Sequence, residues 1–470
     1  MLRQPASRSP FAAPATSQGL TLTFWVGGVL ILLAPLIRGG NRGVALIGLE
    51  WLGLALLLGV ALAWAQGERA AWGTGRTRWG LLVLAGAPLW VALWQLVPLP
   101  ANVWEALPGR AFYGDVLGRL GLADPAWRAA SLTPDATWVA VLAGIPVLAC
   151  LALGLTCTRE QLKTLTRLWI AAAVLQALWG LAQLGPSQWL HFGSAFKGVI
   201  GSFGNSNHLA GFLAMTLPLV VLELRRALHG DGGHAREGHA VWLWGLVLFV
   251  LVLAVLAGRS RAGLATAVLV SLGALLLLPG PKGQQVALRW RAGAMGLVVL
   301  AALATVGTEG LRRFEGSVLT SDASVRQQTF DATWQATKVF WPVGSGLGSF
   351  AAVYPRFQPA EMGNDYVEHA HSDYVQLLME TGVLGLLLGA LVLTLLLAQA
   401  RKLGRKLASE QGLRNEEQTM LAAGLGLLAL LLHAWVDFNM RIPALAMLGA
   451  FLFGVFMRQR SLRHGAEKWE

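Results

Sequence analysis

Charge is scarce in this chain. Only 13% of its 470 residues are charged, against about 25% in an average soluble domain. That shortage excludes an ordinary soluble protein. Hydrophobic residues make up 55%, and the mean hydropathy is +0.55, which places the chain among membrane proteins. Cysteine is scarcer still: Cys150 and Cys157 are the only two. Both fall near the inner end of one expected span, which leaves no support for a disulfide framework or a metal site. No Walker loop follows a strand, which argues against an ATP-driven machine. Gly344-x-Gly346-x-Gly348 lacks a preceding strand too, and reads as a loop. Internal repeats and a soluble appendage are also missing.

What the chain does have is long apolar runs. A spanning helix needs about 20 apolar residues, and that template gives about twelve spans. They start near Leu20, Gly43, Trp79, Ala136, Arg167, His208, Val241, Ala262, Ala292, Gln376, Met420 and Pro443. The expected class is all-α, with a transmembrane domain over 20–457 between cytoplasmic tails 1–19 and 458–470. The first tail is Pro/Ser/Ala-rich and reads as mobile. The first span follows basic residues as a signal peptide would, but no small-residue cleavage site follows it, so it reads as an uncleaved anchor. Tryptophan, at 20 residues, suits rings anchored at headgroup level.

The formal charge of +12 has a membrane explanation, and nucleic acid is not expected as a partner. Taking alternate inter-span segments as one side gives 23 basic residues there and 14 on the other, which together are the 37 in the chain. The second set is much longer, so its basic density is far lower. The positive-inside rule then puts both termini in the cytoplasm. Two outer loops are long, 99–135 and 309–375. The second carries Trp334, Phe340, Trp341, Phe350, Tyr354, Phe357 and Tyr366, so it can pack. Thr333 to Phe340 reads as an amphipathic surface helix, and the Pro342–Gly348 stretch forces a turn.

Five features offer chemistry. His369-Ala-His371-Ser-Asp373-Tyr374-Val-Gln376 closes the long outer loop and opens the tenth span. The spacing puts His371 and Tyr374 on one helix face and Asp373, Gln376 and Glu380 on another. Imidazole is suited to proton transfer near neutral pH; the structural alternative is a capping interface histidine. Second, Arg259-Ser-Arg261 lies between two spans. An arginine at a helix start is unfavourable alone and makes sense beside a bound anion such as phosphate. The alternative is a snorkelling arginine. Third, Gly204-Asn205-Ser-Asn207-His208 enters the sixth span and offers donors and acceptors to sugar or phosphate, or a plain Asn207 N-cap. Fourth, Arg326 lies in the outer loop with Arg312, Arg313, Lys338 and Arg356, and can pair with Glu315, Asp322 or Asp331. Fifth, Glu50 and Glu380 fall inside spans, where acids are functional candidates; Glu380 also reads as a buried hydrogen-bonding strut.

Taken in order, these pieces resemble the O-antigen ligase/polymerase superfamily of membrane glycosyltransferases. The matching motifs are Gly-x-Phe-Gly-Asn-x-Asn-His at 201–208, Ser-Arg-Ala-Gly at 260–263, Trp-Pro-Val-Gly-Ser-Gly-Leu-Gly-x-Phe at 341–350, and His-Ser-Asp-Tyr-Val-Gln at 371–376 ahead of Glu380-Thr-Gly-Val-Leu-Gly385. His433-Ala-Trp-Val-Asp437-Phe-Asn-Met-Arg-Ile-Pro443 is also similar to a family segment. The resemblance covers roughly 130–455. Ser372 departs from it, where the family more often has Asn.

The resemblance implies a glycan donor on undecaprenyl diphosphate in the outer leaflet of the bacterial inner membrane, and an acceptor hydroxyl on lipid A core, another glycan or a protein. It implies His371 as general base and Arg261 and Arg326 as stabilisers of the diphosphate leaving group. Asn205, Asn207, His208, Arg259 and Tyr374 would contact substrate, with Asp373 and Glu380 in support. Inversion at the anomeric carbon and no metal or cofactor are expected. An O-antigen ligase is the leading expectation, with a polymerase or a protein O-oligosaccharyltransferase as alternatives. A small-solute transporter is the reading from another class. Transporters favour broken helices and midplane ion sites, whereas the polar motifs here cluster at outer span ends.

Overall fold

The computed structural model describes residues 18–65, 76–122, 126–186, 188–191, 198–229, 238–278, 317–363, 365–409 and 412–458. The expected ninth span from Ala292, Arg312, Arg313, and most of both tails lie outside these residues. The described chain is helical except for one short antiparallel ribbon, β1 (Pro98–Pro100) with β2 (Trp127–Ala129).

Helices α1 (Gln18–Leu33), α2 (Gly43–Ala65) and α3 (Arg76–Gln95) lead into the ribbon and two short helices, α4 (Ala101–Ala106) and α5 (Arg110–Arg119). Then come α6 (Pro134–Thr156), α7 (Arg159–Ala182), α8 (Ser206–His229), α9 (Gly238–Ala257) and α10 (Arg261–Leu277). After α11 (Ser317–Phe340) follow α12 (Asp373–Leu407), α13 (Asn415–His433) and α14 (Pro443–Phe456). Six of these, α2, α6, α7, α8, α9 and α12, contain stretches long and apolar enough to cross a membrane. Three shorter apolar helices lie at Leu22–Leu33, Arg261–Leu277 and Pro443–Phe456. The chain is a multi-pass helical membrane protein.

Burial sorts the bundle. The apolar window of α8 is 89% buried, against 17% for α2 and α9, so α8 is the axis and the other two face outward. Small residues bring backbones together, as expected where lipid gives no hydrophobic drive between helices. A Cβ on Gly154 of α6 would sit 2.4 Å from the Phe451 carbonyl of α14, and one on Gly454 would sit 2.6 Å from the Leu151 carbonyl. Local sequence sets helix starts: Thr158 and Gln161 form a reciprocal capping box at the head of α7.

Contacts define two ends. One gathers the turn after α1, the 198–207 loop, the α9–α10 turn, the segment before α12 and the α13–α14 turn. There the Ser202 hydroxyl donates to the Pro35 carbonyl at 2.5 Å, and a Cβ on Gly258 would lie 3.5 Å from the Val199 carbonyl. The opposite end is closed by ion pairs: Glu223 with Arg167 at 3.0 Å and Arg226 at 2.7 Å, Arg159 with Glu416 at 2.9 Å, and Lys406 with Glu417. Arg458 donates there to the Cys157 carbonyl at 2.7 Å.

A lobe of helices and loops covers the first end. Helix α11 is 24 residues long, so the expected surface helix at Thr333–Phe340 is only its last third. Its Thr329, Thr333 and Thr337 hydroxyls bond back to carbonyls four residues earlier. That lets them pack into a core with Phe340, Phe350, Tyr354 and Met379. The lobe is tied to the bundle where the Gly344–Gly348 loop crosses α12. Gly344 and Gly382 have φ of +84° and +58°, and a Cβ on Gly382 would lie 2.0 Å from the Pro342 carbonyl. Only glycine suits that crossing. Gln95 clamps it, donating to the Glu380 carbonyl and accepting from the Leu347 amide, both at 2.8 Å. The buried Arg110 donates to the carbonyls of Ala130 and Gly344 at 2.6 and 2.9 Å. Desolvation, partly offset by other neighbours, lowers its pKa to about 10.

Candidate functional site

The α13–α14 turn carries most of the site. Asp437 is almost wholly buried and stands between two elements. Its Oδ2 accepts from the Asn207 side chain at 2.5 Å. Its Oδ1 accepts from the Phe438 amide at 2.9 Å and faces His371 Nδ1 at 3.4 Å. The His371 side chain remains 29% exposed, so it joins a buried carboxylate to the surface. Its backbone is left-handed, with φ of +51°. Such a conformation is uncommon outside glycine but enriched in histidine.

His371 is therefore not part of a helix. Ser372 is the N-cap and Asp373 opens α12, three residues before the expected start. The expected shared helix face of His371 and Tyr374 is thus corrected: a left-handed residue and a cap separate the two. Tyr374 points to α13, where its hydroxyl donates to the Leu431 carbonyl at 2.7 Å. Asp373 is buried and doubly held. Its amide donates to the Ala434 carbonyl at 2.9 Å, and its Oδ2 accepts from the Met440 amide at 2.8 Å.

Below lies an ionic strut. Glu380 is fully buried, and its carboxylate accepts from Arg441 at 2.7 Å and from Gln376 at 3.1 Å. Gln376 also takes the Ala370 amide at 3.0 Å. Desolvation opposes the charge on Arg441, but Glu380 and Asp373 outweigh it and raise its pKa. This network fixes the backbone on both sides of His371.

Three imidazoles meet one phenyl ring. Phe438 lies 4.7 Å from His208, 4.4 Å from His369 and 5.3 Å from His371, centroid to centroid. Desolvation first, and then the positive charge of Arg441, push His369 down to about 3. It is a neutral ring at working pH. Burial alone would raise Asp437; the hydrogen bond to His371 and the fields of His208 and Arg326 outweigh it and hold the carboxyl well below its usual range. An ionised Asp437 on Nδ1 favours the tautomer with a free lone pair on Nε2. A partly exposed imidazole of that kind can take a proton from a hydroxyl.

The other expected residues divide. Arg326 is brought to the site: its guanidinium donates to the Val436 carbonyl at 3.0 Å, one residue from Asp437. Asn207 is not the N-cap of α8; Asn205 accepts the Asn207 amide at 2.9 Å, while the Asn207 side chain holds Asp437. His208 is buried and packs on Phe438. Arg259 and Arg261 are exposed at the same end. The Ser260 hydroxyl caps α10 through the Gly263 amide at 3.1 Å, and Gly263 packs on Ala210, two residues past His208. Glu50 lies within α2, which packs against α1 and α6.

Asp437 and Arg441 are the residues that motif reading under-used. Their signal was a run of polar side chains between two apolar helices, His433 to Arg441. No group of histidines, cysteines and carboxylates suited to a metal occurs among the described residues. An apolar groove of about 230 Å³ between Pro88, Gly144, Leu388 and Phe453 holds no titratable group.

A partly exposed histidine thus faces a buried aspartate at one end of a helical membrane bundle. Residues 246–390 match the family model described as O-antigen ligase. That match, over under a third of the chain, supports the resemblance to the O-antigen ligase/polymerase superfamily that the motifs indicated. A search of curated proteins returns no match. The matched segment contains Arg261, Arg326, His371 and Glu380; Asp437 and Arg441 lie beyond its end.

Proposed function

We propose that this protein is an O-antigen ligase of the bacterial inner membrane. It transfers a glycan from undecaprenyl diphosphate to a hydroxyl of lipid A core, on the periplasmic face. The chain crosses the membrane about twelve times, with both termini in the cytoplasm. The supporting observation is the His371–Asp437 pair, set at the end of the bundle whose segments carry the lower basic density.

In this reading His371 Nε2 takes the acceptor proton while Asp437 stabilises the imidazolium. The acceptor oxygen attacks the anomeric carbon from the face opposite the diphosphate, inverting it. Arg326, beside Asp437, and Arg261 with Arg259, at the head of α10, neutralise the departing diphosphate. Asn205 lines the approach from the α8 side. Asn207, His208, Asp373 and Glu380 act by positioning, and Tyr374 braces α12. No metal is required, because guanidinium groups supply the positive charge. The ionic closure of the opposite end favours an enzyme over a small-solute transporter.

The test is deletion in the native host followed by gels of surface glycan. Loss of polymer on lipid A, with polymer still made on undecaprenyl diphosphate, identifies a ligase. Capping with a single repeat identifies a polymerase instead. Intact surface glycan with a missing glycoprotein points to the protein-glycosylating branch, and unchanged glycans with a lost solute flux to a transporter.

A further inference from the structure

The turn after α1 winds left-handed through four successive residues. Ile37 and Arg38 have φ of +51° and +58°, and Gly39 and Gly40 follow at +66° and +82°. Glycine takes that conformation freely. A residue with a Cβ takes it at a cost, and rarely beside another of its kind. Such costs persist only where the surroundings impose them, and they collect at functional sites. Packing imposes them here. The Ser202 hydroxyl donates to the Pro35 carbonyl at 2.5 Å. A Cβ on Gly39 would lie 2.6 Å from the Phe203 ring and 2.9 Å from Ile442, and one on Gly40 would lie 3.1 Å from Pro443. The turn is thus pressed onto the 198–207 loop, which carries Asn207, and onto the end of the α13–α14 turn, which carries Asp437.

Exposure in this turn runs against side-chain polarity. Ile37 is 57% exposed, whereas Arg38 is half-buried. An arginine that merely snorkels keeps its head in water. The Arg38 side chain instead runs across Gly204: a Cβ on that glycine would lie 3.6 Å from Arg38 Cγ, Cδ and Nε alike. Among the described residues no carboxylate pairs with its guanidinium. Gly204 precedes Asn205, and the Asn207 side chain donates at 2.5 Å to Asp437, which faces His371 at 3.4 Å. At its other end the same loop meets the α9–α10 turn, where a Cβ on Gly258 would lie 3.5 Å from the Val199 carbonyl. Next to Gly258 stands Arg259, also left-handed, with φ of +56°. Two left-handed arginines therefore border the ends of one loop, Val199 to Gly204. A half-buried guanidinium without a carboxylate suits an anion, and its planar fork matches phosphate.

We propose that Arg38 is a further donor-binding residue, whose guanidinium takes a phosphate of the lipid-linked diphosphate beside Gly204. This rests on the transferase reading given above. It adds a cation from the turn after α1 to those carried by α10 and α11. The left-handed winding is the means: it leaves Ile37 outside and lays Arg38 across the loop. The role of Arg38 is binding, and the proton transfer stays with His371.

The experiment uses the full-length protein in nanodiscs of phosphatidylcholine, with a short glycan on a polyprenyl diphosphate as donor and purified lipid A core as acceptor. Binding is read separately, as the rise in melting temperature given by unglycosylated polyprenyl diphosphate. Arg38→Ala is expected to raise the donor KM about tenfold or more with little change in kcat, and Arg38→Lys to recover only part of it, since the charge returns without the fork. Arg42→Ala, four residues on and fully exposed, should keep the wild-type KM. Arg38→Gly relieves the left-handed residue, so it should melt no lower than wild type while binding donor as weakly as Arg38→Ala. A donor KM unchanged in folded Arg38→Ala overturns the proposal. So does an equal loss in Arg42→Ala, which would mark a general surface-charge effect, and so does an Arg38→Gly protein that melts well below wild type, which would make the arginine structural. Repeating the melts with added phosphatidylglycerol separates the two phosphate sources: an Arg38-dependent rise with that lipid, and none with polyprenyl diphosphate, assigns Arg38 to bulk headgroups and also overturns the proposal. A wild type that transfers nothing yet is stabilised by polyprenyl diphosphate through Arg38 sinks the transferase reading alone. A transferring wild type with an unchanged Arg38→Ala KM sinks the proposal alone.

Discussion

Arg441 reaches across from the α13–α14 turn to bond Glu380 at 2.7 Å, a carboxylate with no solvent exposure inside the helix that follows His371. Removing one partner of a buried pair leaves an uncompensated charge, which costs about 3–5 kcal/mol. Arg441→Met should therefore lower the thermal stability of the detergent-solubilised protein sharply. The double variant Arg441→Met/Glu380→Gln should regain most of the loss. If the double is no better than the single, the pair is not what holds the turn.

The His371–Asp437 contact separates two kinds of loss. His371→Ala removes the base and should reduce transfer by roughly 10²–10⁴-fold with normal membrane insertion. Asp437→Asn keeps the shape but loses the charge that selects the tautomer. It should lower kcat strongly, leave KM for the donor nearly unchanged, and move the pH profile. Equal kcat values for Asp437→Asn and wild type would remove Asp437 from the reaction.

The arginines at this end should behave differently from each other. Arg261 is exposed at the head of α10; in the proposed reading it contacts the diphosphate, and Arg261→Lys loses a bidentate fork. Donor affinity should drop without a change in melting temperature. Arg326 also holds the Val436 carbonyl, so Arg326→Lys should cost both activity and some stability. A donor KM unaltered in Arg261→Lys would place the anion site elsewhere.

Acid should unfold this protein through His369 and Asp437. The folded pKa of His369 lies at about 3, below the unfolded value of about 6.5. Its neutral form is favoured by folding, so its contribution is complete above pH 6.5 and declines as pH falls towards 3. Asp437 is also depressed; its contribution is present above about 3.9, the unfolded value, and is lost at still lower pH. Both slopes have the same sign, with each group adding at most about 1.4 kcal/mol per pH unit. Melting temperatures measured from pH 7.5 to 4.5 should fall, and His369→Gln should flatten the upper part of that curve. A flat wild-type curve would contradict this assignment.

Apolar length made the helices legible in the sequence: α2, α6, α8 and α9 start close to where hydropathy placed them. The sequence singled out His371 because it closes a long loop, and the structure sets it 3.4 Å from Asp437. What sequence could not supply was pairing across the chain. Asp437 lies 66 residues from His371, and Arg441 lies 61 from Glu380. No periodicity links such positions; the crossing of α12 with the α13–α14 turn does. The helix face assigned to His371 and Tyr374 failed for a local reason, since a left-handed residue before a cap breaks the 3.6-residue spacing. Asn207 was misread as a cap because Asn205, two residues earlier, takes that role and frees it for Asp437.

The glycine crossing between the lobe and α12 has a consequence for how such proteins can diverge. Because the Gly344 loop interlocks with Gly382 of α12, and Gln95 and Arg110 stitch the same point from two other elements, the lobe is not a detachable module. Swapping it between related proteins should fail unless α3, α5 and the upper part of α12 travel with it.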